Sequence, residues 1–221
     1  MIPLRDDIRS QRLPIVNFIL IGLNCLVYIY EVGLGQELRF FINDFGFVPY
    51  NLIYNTDAHS ILTLFTSMFI HANFLHIAGN LLYLWVFGDN VEDVFSPIGF
   101  LFFYLVCGLA GSLLHTLFSA RSVIPSVGAS GAISGVMGGY FLLYPRARVL
   151  ALVPLGFFMR LIYVPAVFFL GFWFVLQLLY GFALWGANAG VAYFAHIGGF
   201  VAGVIIALPF KFKQRSRYRI Y

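Results

Sequence analysis

Six apolar stretches, at roughly 14–32, 61–87, 97–119, 129–144, 161–184 and 192–210, constrain this chain more than any other feature. A helix needs about 20 mainly apolar residues to cross a hydrocarbon core about 30 Å thick, and most of these stretches are near that length. The polar segments between them are too short to build a soluble domain. Only 10% of the 221 residues are charged and 61% are hydrophobic, whereas a soluble domain carries about 25% charged residues. Polar side chains are too few to cover a water-facing surface, so the bilayer is the expected solvent. The implied fold class is an all-α polytopic bundle of six membrane helices. One membrane domain is expected over 1–221, with a short polar segment 1–13, a core 14–210 and a basic tail 211–221. No soluble-type strand and no long repeat is evident. Segment 150–160, "LALVPLGFFMR", contains Pro154 and Arg160 and reads as an interfacial piece leading into the fifth stretch.

The polar start "MIPLRDDIRSQR" lacks the features of a signal peptide, so the first apolar run is expected to remain as an anchor. Cys25 and Cys107 both sit in apolar runs and read as small core residues rather than a disulfide framework. Basic residues suggest an orientation. Arg5, Arg9 and Arg12 precede the first run, Arg146 and Arg148 follow the fourth, and Lys211, Lys213, Arg215, Arg217 and Arg219 follow the sixth. Segment 32–60 carries only Arg39, and 120–128 only Arg121. The positive-inside rule then places both termini in the cytoplasm, and it tolerates Asp89, Glu92 and Asp93 on that side because acids weigh little. The tail reads as a topology anchor with some attraction to anionic lipid, and no nucleic-acid partner is expected.

Against this background one stretch turns small: "SVGASGAISGVMGG", from Ser126 to Gly139. Taken alone it is a packing motif. Gly131, Gly135 and Gly139 are spaced four apart and allow close helix approach, while Ser130 and Ser134 would bond backbone carbonyls. It is not the G-x-S-x-G nucleophile elbow, since the last glycine and a preceding strand are missing. Depth changes the reading. Ser130 lies 16 residues before Arg146, about 24 Å of helical rise. His196 lies 15 residues before Lys211, about 22 Å by the same measure. Both spans run in the same direction, so a serine and a histidine sit at nearly one level, below the outer edge. Gly199 and Gly203 share a helical face with His196, and this face could meet the glycine-rich fourth helix.

That pairing has a chemical use. A serine hydroxyl is a weak nucleophile until a neighbouring base takes its proton, and histidine suits that task near neutral pH. Polar groups within a bilayer are expensive and mark functional sites by default. Ser130 also stands near a helix N-terminus, whose free N–H groups favour a developing oxyanion. In the second stretch, "SMFIHANFLHIAGNLLYLWVFGDN", His76 and Asn80 are four apart on one face and could bond that oxyanion. His71 stands five before His76, about 140° round the helix and nearer the mouth. Each of these polar groups has an equally plain use as glue between helices.

The set His71-x4-His76-x3-Asn80, then Gly128-Ala129-Ser130-Gly131, then Ala195-His196-x2-Gly199-x3-Gly203 resembles the rhomboid family of intramembrane serine proteases. The resemblance covers six spans and nearly the whole chain. It implies a six-helix rhomboid-type bundle with both termini cytoplasmic. It also implies a Ser–His dyad, Ser130 as nucleophile and His196 as base. His76, Asn80 and the Ser130 backbone N–H would form the oxyanion hole, with His71, Gly128, Gly131, Gly199 and Gly203 in support. The implied activity is cleavage of other proteins' transmembrane segments near the extracytoplasmic face, without cofactor or metal, by a monomer in the cell (plasma or inner) membrane. There are departures. The first loop has no Trp-Arg pair, and Ser134 stands where some relatives place a tyrosine under the histidine ring, so another group must orient His196. The loop "LWGANAGVAYF", Leu184 to Phe194, is expected to cap the site.

Other classes fit less well. Metal-dependent proteolysis needs HExxH, which is absent, and a zinc site from His71, His76 and His196 would be loosely spaced. Aspartyl proteolysis needs two carboxylates within spans, and no Asp or Glu follows Asp93. The non-enzyme alternatives are a membrane-protein-binding pseudoprotease, though inactive relatives typically lose the serine or histidine, and a small transporter, which would show intramembrane charges or repeated broken helices, neither of which is evident.

Overall fold

The computed structural model describes residues 1–156, 158–186 and 190–217. In chain order the elements are β1 (Ile2–Arg5), α1 (Ile15–Gly33), α2 (Leu38–Phe45), α3 (Pro49–Tyr54), α4 (Ala58–Thr66), α5 (Phe74–Phe95), α6 (Pro97–Ser119), α7 (Ser130–Leu143), β2 (Arg148–Leu155), β3 (Phe158–Pro165), α8 (Ala166–Ala183) and α9 (Tyr193–Arg217). Among the described residues, α1, α6, α8 and the Tyr193–Lys211 part of α9 are long and apolar enough to cross a membrane. The protein is therefore a mostly helical, integral membrane bundle.

The second apolar stretch is not one straight helix. Helix α4 with its following turn meets α5 at 79°, and the two make a fifth span only if counted together. The break has local causes. Ile70 is extended, with φ −91° and ψ 140°. Beyond it the Asn73 side chain accepts the His76 N–H at 2.9 Å and starts α5 afresh.

Helix α7 is the centre of the bundle. It has 14 residues, or about 21 Å of rise, short of a full crossing. Every residue from Gly131 to Tyr140 is buried, as expected for a helix surrounded by others. Its closest neighbour is α9, and α9 also packs on α6. The α7–α9 contact is backbone against backbone. A Cβ on Gly199 would collide with the Gly131 carbonyl, and one on Gly203 with the Gly135 carbonyl.

Strands are present where none was expected. β2 and β3 form an antiparallel hairpin with Val149 opposite Val164 and Ala151 opposite Ile162, and β1 pairs on the other edge of β2. The turn uses Gly156 at φ +63°, a conformation glycine adopts freely. Segment 150–160 is thus mostly strand, and the fifth helix begins at Ala166 rather than near 161. Pro165 explains the shift: a proline drives the residue before it into extended backbone, so α8 cannot extend backward. An open sheet edge is not tolerated in lipid hydrocarbon. The sheet therefore lies beyond the spans, at the end where α7 stops and α8 starts.

At that same end the N-terminal segment is tied down by carboxylates. Asp93 accepts backbone N–H groups of Gln11 at 2.5 Å and Arg12 at 3.0 Å. Glu92 accepts those of Val16 at 3.1 Å and Asn17 at 2.7 Å, so it caps the start of α1. Asp7 accepts the Arg148 N–H at 2.7 Å. Asp6 accepts from the Tyr140 hydroxyl and, at 2.9 Å, from the Asn90 amide.

The first loop is anchored at the other end without a Trp-Arg pair. Phe47 and Ser126 exchange two backbone hydrogen bonds of 3.0 and 2.7 Å, Tyr50 N–H donates to the Ser122 carbonyl at 3.0 Å, and the Thr66 hydroxyl donates to the Phe45 carbonyl at 2.7 Å. Of the cap expected over Leu184–Phe194, residues 187–189 lie outside the described residues, as do residues 218–221 of the basic tail. Trp185, in the described part of that loop, donates its indole N–H to the Phe118 carbonyl at 2.9 Å. Its ring joins an aromatic cluster with Phe118, Phe182 and Phe194.

Candidate active site

The site starts with a backbone constraint. Gly128 has φ +125°, which L side chains rarely adopt. Its N–H donates to the Ser67 carbonyl at 2.8 Å, which pins the loop to the turn after α4. A Cβ here would stand 2.6 Å from His76 Cε1, 2.7 Å from His76 Nε2 and 3.7 Å from Asn80 Nδ2. The glycine therefore lets the loop lie directly on the His76 ring and beside the Asn80 amide. Two residues on, the partly exposed Ser130 opens α7.

Helix α9 brings His196 to that hydroxyl. The Ser130 Oγ to His196 Nε2 distance is 2.8 Å, and His196 is also only partly buried. The glycine seam permits this reach, because a side chain at Gly199 or Gly203 would meet the carbonyl of Gly131 or Gly135 and hold α9 away from α7. The other ring nitrogen is also engaged: Nδ1 is 2.8 Å from Gln177 Oε1. An amide oxygen only accepts, so Nδ1 carries the proton and donates it to Gln177. Nε2 is left with its lone pair facing Ser130, whose hydroxyl donates. Trp173, one turn before Gln177 on α8, lies beside the imidazole with ring centroids 5.9 Å apart and planes 35° apart.

Donors for an anion stand nearby. Asn80 is buried, and its Nδ2 finds no hydrogen-bond partner among the described residues. An orphan buried donor is costly, and one beside a candidate nucleophile is suited to a transient negative charge. The first N–H groups of α7 have no partner within their own helix and surround the same spot. His71 does not line an open mouth. It is 0% exposed, its ring meets the His76 ring edge-on at 5.1 Å, and its backbone N–H donates to the Glu31 carboxylate at 3.1 and 3.2 Å. His71 and Glu31 thus lie behind His76 as its packing.

Ser134 does not support the imidazole. Its hydroxyl donates to the Ser130 carbonyl at 2.6 Å, within α7. The groups against the His196 ring come instead from α8, namely Gln177 and Trp173, which the sequence reading did not single out. A signal existed: Gln177 is the only amide or ionisable-type polar residue between Ala166 and Leu179, and a polar residue within a span is a functional candidate. The zinc alternative fits poorly, because both nitrogens of His196 are already committed. No group of three His, Cys, Asp or Glu suited to a metal occurs among the described residues.

A family model described as a Rhomboid domain matches residues 58–211. Rhomboid protease GluP of Bacillus subtilis is 30% identical over 197 residues, 89% of this chain and 36% of that protein. Rhomboid protein 1, mitochondrial, of Saccharomyces cerevisiae is 35% identical over 108 residues, 47% of this chain and 31% of that protein. RHOMBOID-like protein 1 of Arabidopsis thaliana is 29% identical over 160 residues, 72% of this chain and 37% of that protein. The chain thus spans about a third of the length of these relatives.

Proposed function

The chain belongs to the rhomboid family of membrane proteins, and from that membership we propose that it is an intramembrane serine endopeptidase working through Ser130 and His196. The observation that carries this reading is the 2.8 Å contact from Ser130 Oγ to a His196 Nε2 whose lone pair faces the hydroxyl. Ser130 attacks the scissile carbonyl carbon while its proton passes to Nε2. The oxyanion is met by Asn80 Nδ2, His76 and the N–H groups at the start of α7. When the C–N bond breaks, His196 returns the proton to the departing amine. Water then hydrolyses the Ser130 ester by the same base, giving an acid and regenerating the hydroxyl. The residues in the site supply every proton transfer, so the reaction is expected to need no cofactor.

The substrates are transmembrane segments of other proteins, cut near the extracytoplasmic face. The topology is six spans with both termini in the cytoplasm: α1, the bent α4–α5 pair, α6, short α7, α8 and α9. This topology puts the Ser130 end of α7 outside. The partly exposed Ser130 and His196 suit a site that must admit water. The protein acts as a monomer. Relatives with mitochondrial and chloroplastic names show that membership in the family implies a membrane without specifying which one; the cell membrane is our reading.

A fluorophosphonate separates this from a pseudoprotease or a transporter, because only an activated serine reacts. The wild-type protein should label covalently, and Ser130→Ala and His196→Ala should not, with thermal melting unchanged. Removing either member of a catalytic unit commonly costs nearly as much as removing all of it. Absence of labelling in wild type, or labelling that survives Ser130→Ala, overturns the assignment.

A further inference from the structure

We propose that Gln177 of α8 is the positioning residue for the base, completing a Ser130–His196–Gln177 relay with a neutral amide as its third member. The inference rests on the Ser–His reading above and extends it to a residue on a different helix.

The geometry is specific. Gln177 is buried at 8% exposure in an otherwise apolar helix, and its Oε1 stands 2.8 Å from His196 Nδ1. A neutral imidazole has two tautomers, and only the one protonated at Nδ1 offers Nε2 a lone pair for the serine proton. The other tautomer would donate to Ser130 Oγ and could not act as a base. An amide oxygen aimed at Nδ1 selects the productive tautomer. It also fixes the ring plane, with Trp173 as the adjacent wall. Both come from α8 at positions four apart, so one face of one helix holds the imidazole. Ser134, turned to its own helix, leaves that task open.

The amide differs from a carboxylate in one respect. It selects the tautomer without contributing a full negative charge to the imidazolium formed when the serine proton arrives. The titratable groups facing His196 are themselves imidazoles, His76 from α5 and His115 from α6, with the Tyr193 ring nearby on its own helix. The described groups around it therefore include no carboxylate that would hold the imidazolium at neutral pH. This suits a base that must be unprotonated in its resting state.

The test compares Gln177→Leu and Gln177→Glu in the purified protein. Two probes are used: a rhodamine fluorophosphonate, and a fluorogenic peptide containing a transmembrane helix with a pair of small residues near one end. Gln177→Leu should lower kcat by about 10²-fold with little change in KM, the lower end of what a positioned general base contributes. Gln177→Glu should recover much of that loss. It should also move the acid limb of the labelling-rate profile to higher pH, by about one to three units, because an adjacent carboxylate favours the imidazolium. A purely structural Gln177 would shift melting and leave the acid limb in place. If Gln177→Leu fails to fold, the Gln177→Glu profile decides alone. Wild-type rates in Gln177→Leu, or an unshifted limb in folded Gln177→Glu, overturn the relay while leaving the Ser130–His196 reading intact. Failure of wild-type Ser130 to label would instead remove the reading on which the relay rests.

Discussion

The two ends of α5 and α7 satisfy buried polar groups with opposite chemistry. At the end holding His76, Asn80 and Ser130 the groups around the hydroxyl are neutral, with the Glu31 carboxylate bonded behind them to the His71 backbone, and Asn80 Nδ2, His71 Nε2 and His115 Nδ1 have no partner among the described residues. At the other end Glu92, Asp93, Asp6 and Asp7 each accept hydrogen bonds from elements far away in sequence. The carboxylate end is closed: its carboxylates hold the N-terminal segment and the start of α1, and the acceptors unpaired there among the described residues, Asn17 Oδ1 and Asn90 Oδ1, are sealed at 1% and 0% exposure. The neutral end is left open, with donors in hand and a partly exposed serine. Satisfied groups stabilise a fold, while an unsatisfied donor beside a partly exposed serine can meet a ligand. On that contrast the carboxylate end is scaffold and the neutral end is chemistry.

The largest effect should come from breaking the seam that links the two helices of the neutral end. In Gly199→Val the new Cβ meets the Gly131 carbonyl, and the helices must separate. Hydrogen-bond reach is only about 2.6–3.2 Å, so a shift of about 1 Å parts His196 from Ser130. Fluorophosphonate labelling should vanish, with a marked fall in melting temperature. A variant that stayed fully active and stable would show that the seam does not set the contact.

Paired substitutions sharpen the contrast between the ends. Asn80→Ala should lower turnover by about 10²–10³, the usual loss for one oxyanion donor, and leave melting almost unchanged, since it deletes a donor that has no partner in the resting state. Glu92→Gln should do the reverse: melting falls as the α1 cap weakens, while turnover of the folded protein at low temperature holds. Equal effects of both variants on both readouts would erase the division into scaffold and site.

The smallest effect concerns pH at the carboxylate end. Burial pushes the Asp6 carboxyl up from 3.8 to about 6, against the opposing effect of the Tyr140 hydroxyl and aided by the nearby Asp7 charge. The folded state then binds more protons than the unfolded state between these values, so stability falls as pH rises from about 4 to about 6. Melting temperature should decline by a few degrees over that window in wild type and decline less in Asp6→Asn. An identical slope in both proteins would remove Asp6 as the cause.

Much of this was legible in the chain itself, and the misses have identifiable causes. Apolar run lengths placed α1, α6 and the Tyr193–Lys211 part of α9 within a few residues. Counting helical rise from the basic residues put Ser130 and His196 at one level, and they are in contact. The hairpin of β2 and β3 was missed because a strand flanked by membrane helices can be apolar throughout, and without alternation its period cannot be read. The bend between α4 and α5 was missed because hydropathy averages across a break made by the extended backbone at Ile70 and the Asn73 cap. Glu31 went unremarked, as its use depends on a backbone N–H forty residues away at His71.

The sequence by itself determined the solvent and the approximate spans, and it set Ser130 and His196 at nearly one level. These follow from hydropathy and from rise per residue, which are properties of a segment alone. Only the tertiary structure decided which groups meet at a given depth. That Gln177, rather than a residue of α7, faces His196 depends on how α8 is rotated about its own axis. So does the choice of Trp173 over Ser134 as the neighbour of the imidazole. In a helix that is apolar all round, no hydrophobic stripe records that rotation. It is set by the packing of α8 on α9, through contacts such as Phe174 against Phe200, and by the one polar group of its middle turns finding a partner inside the bundle.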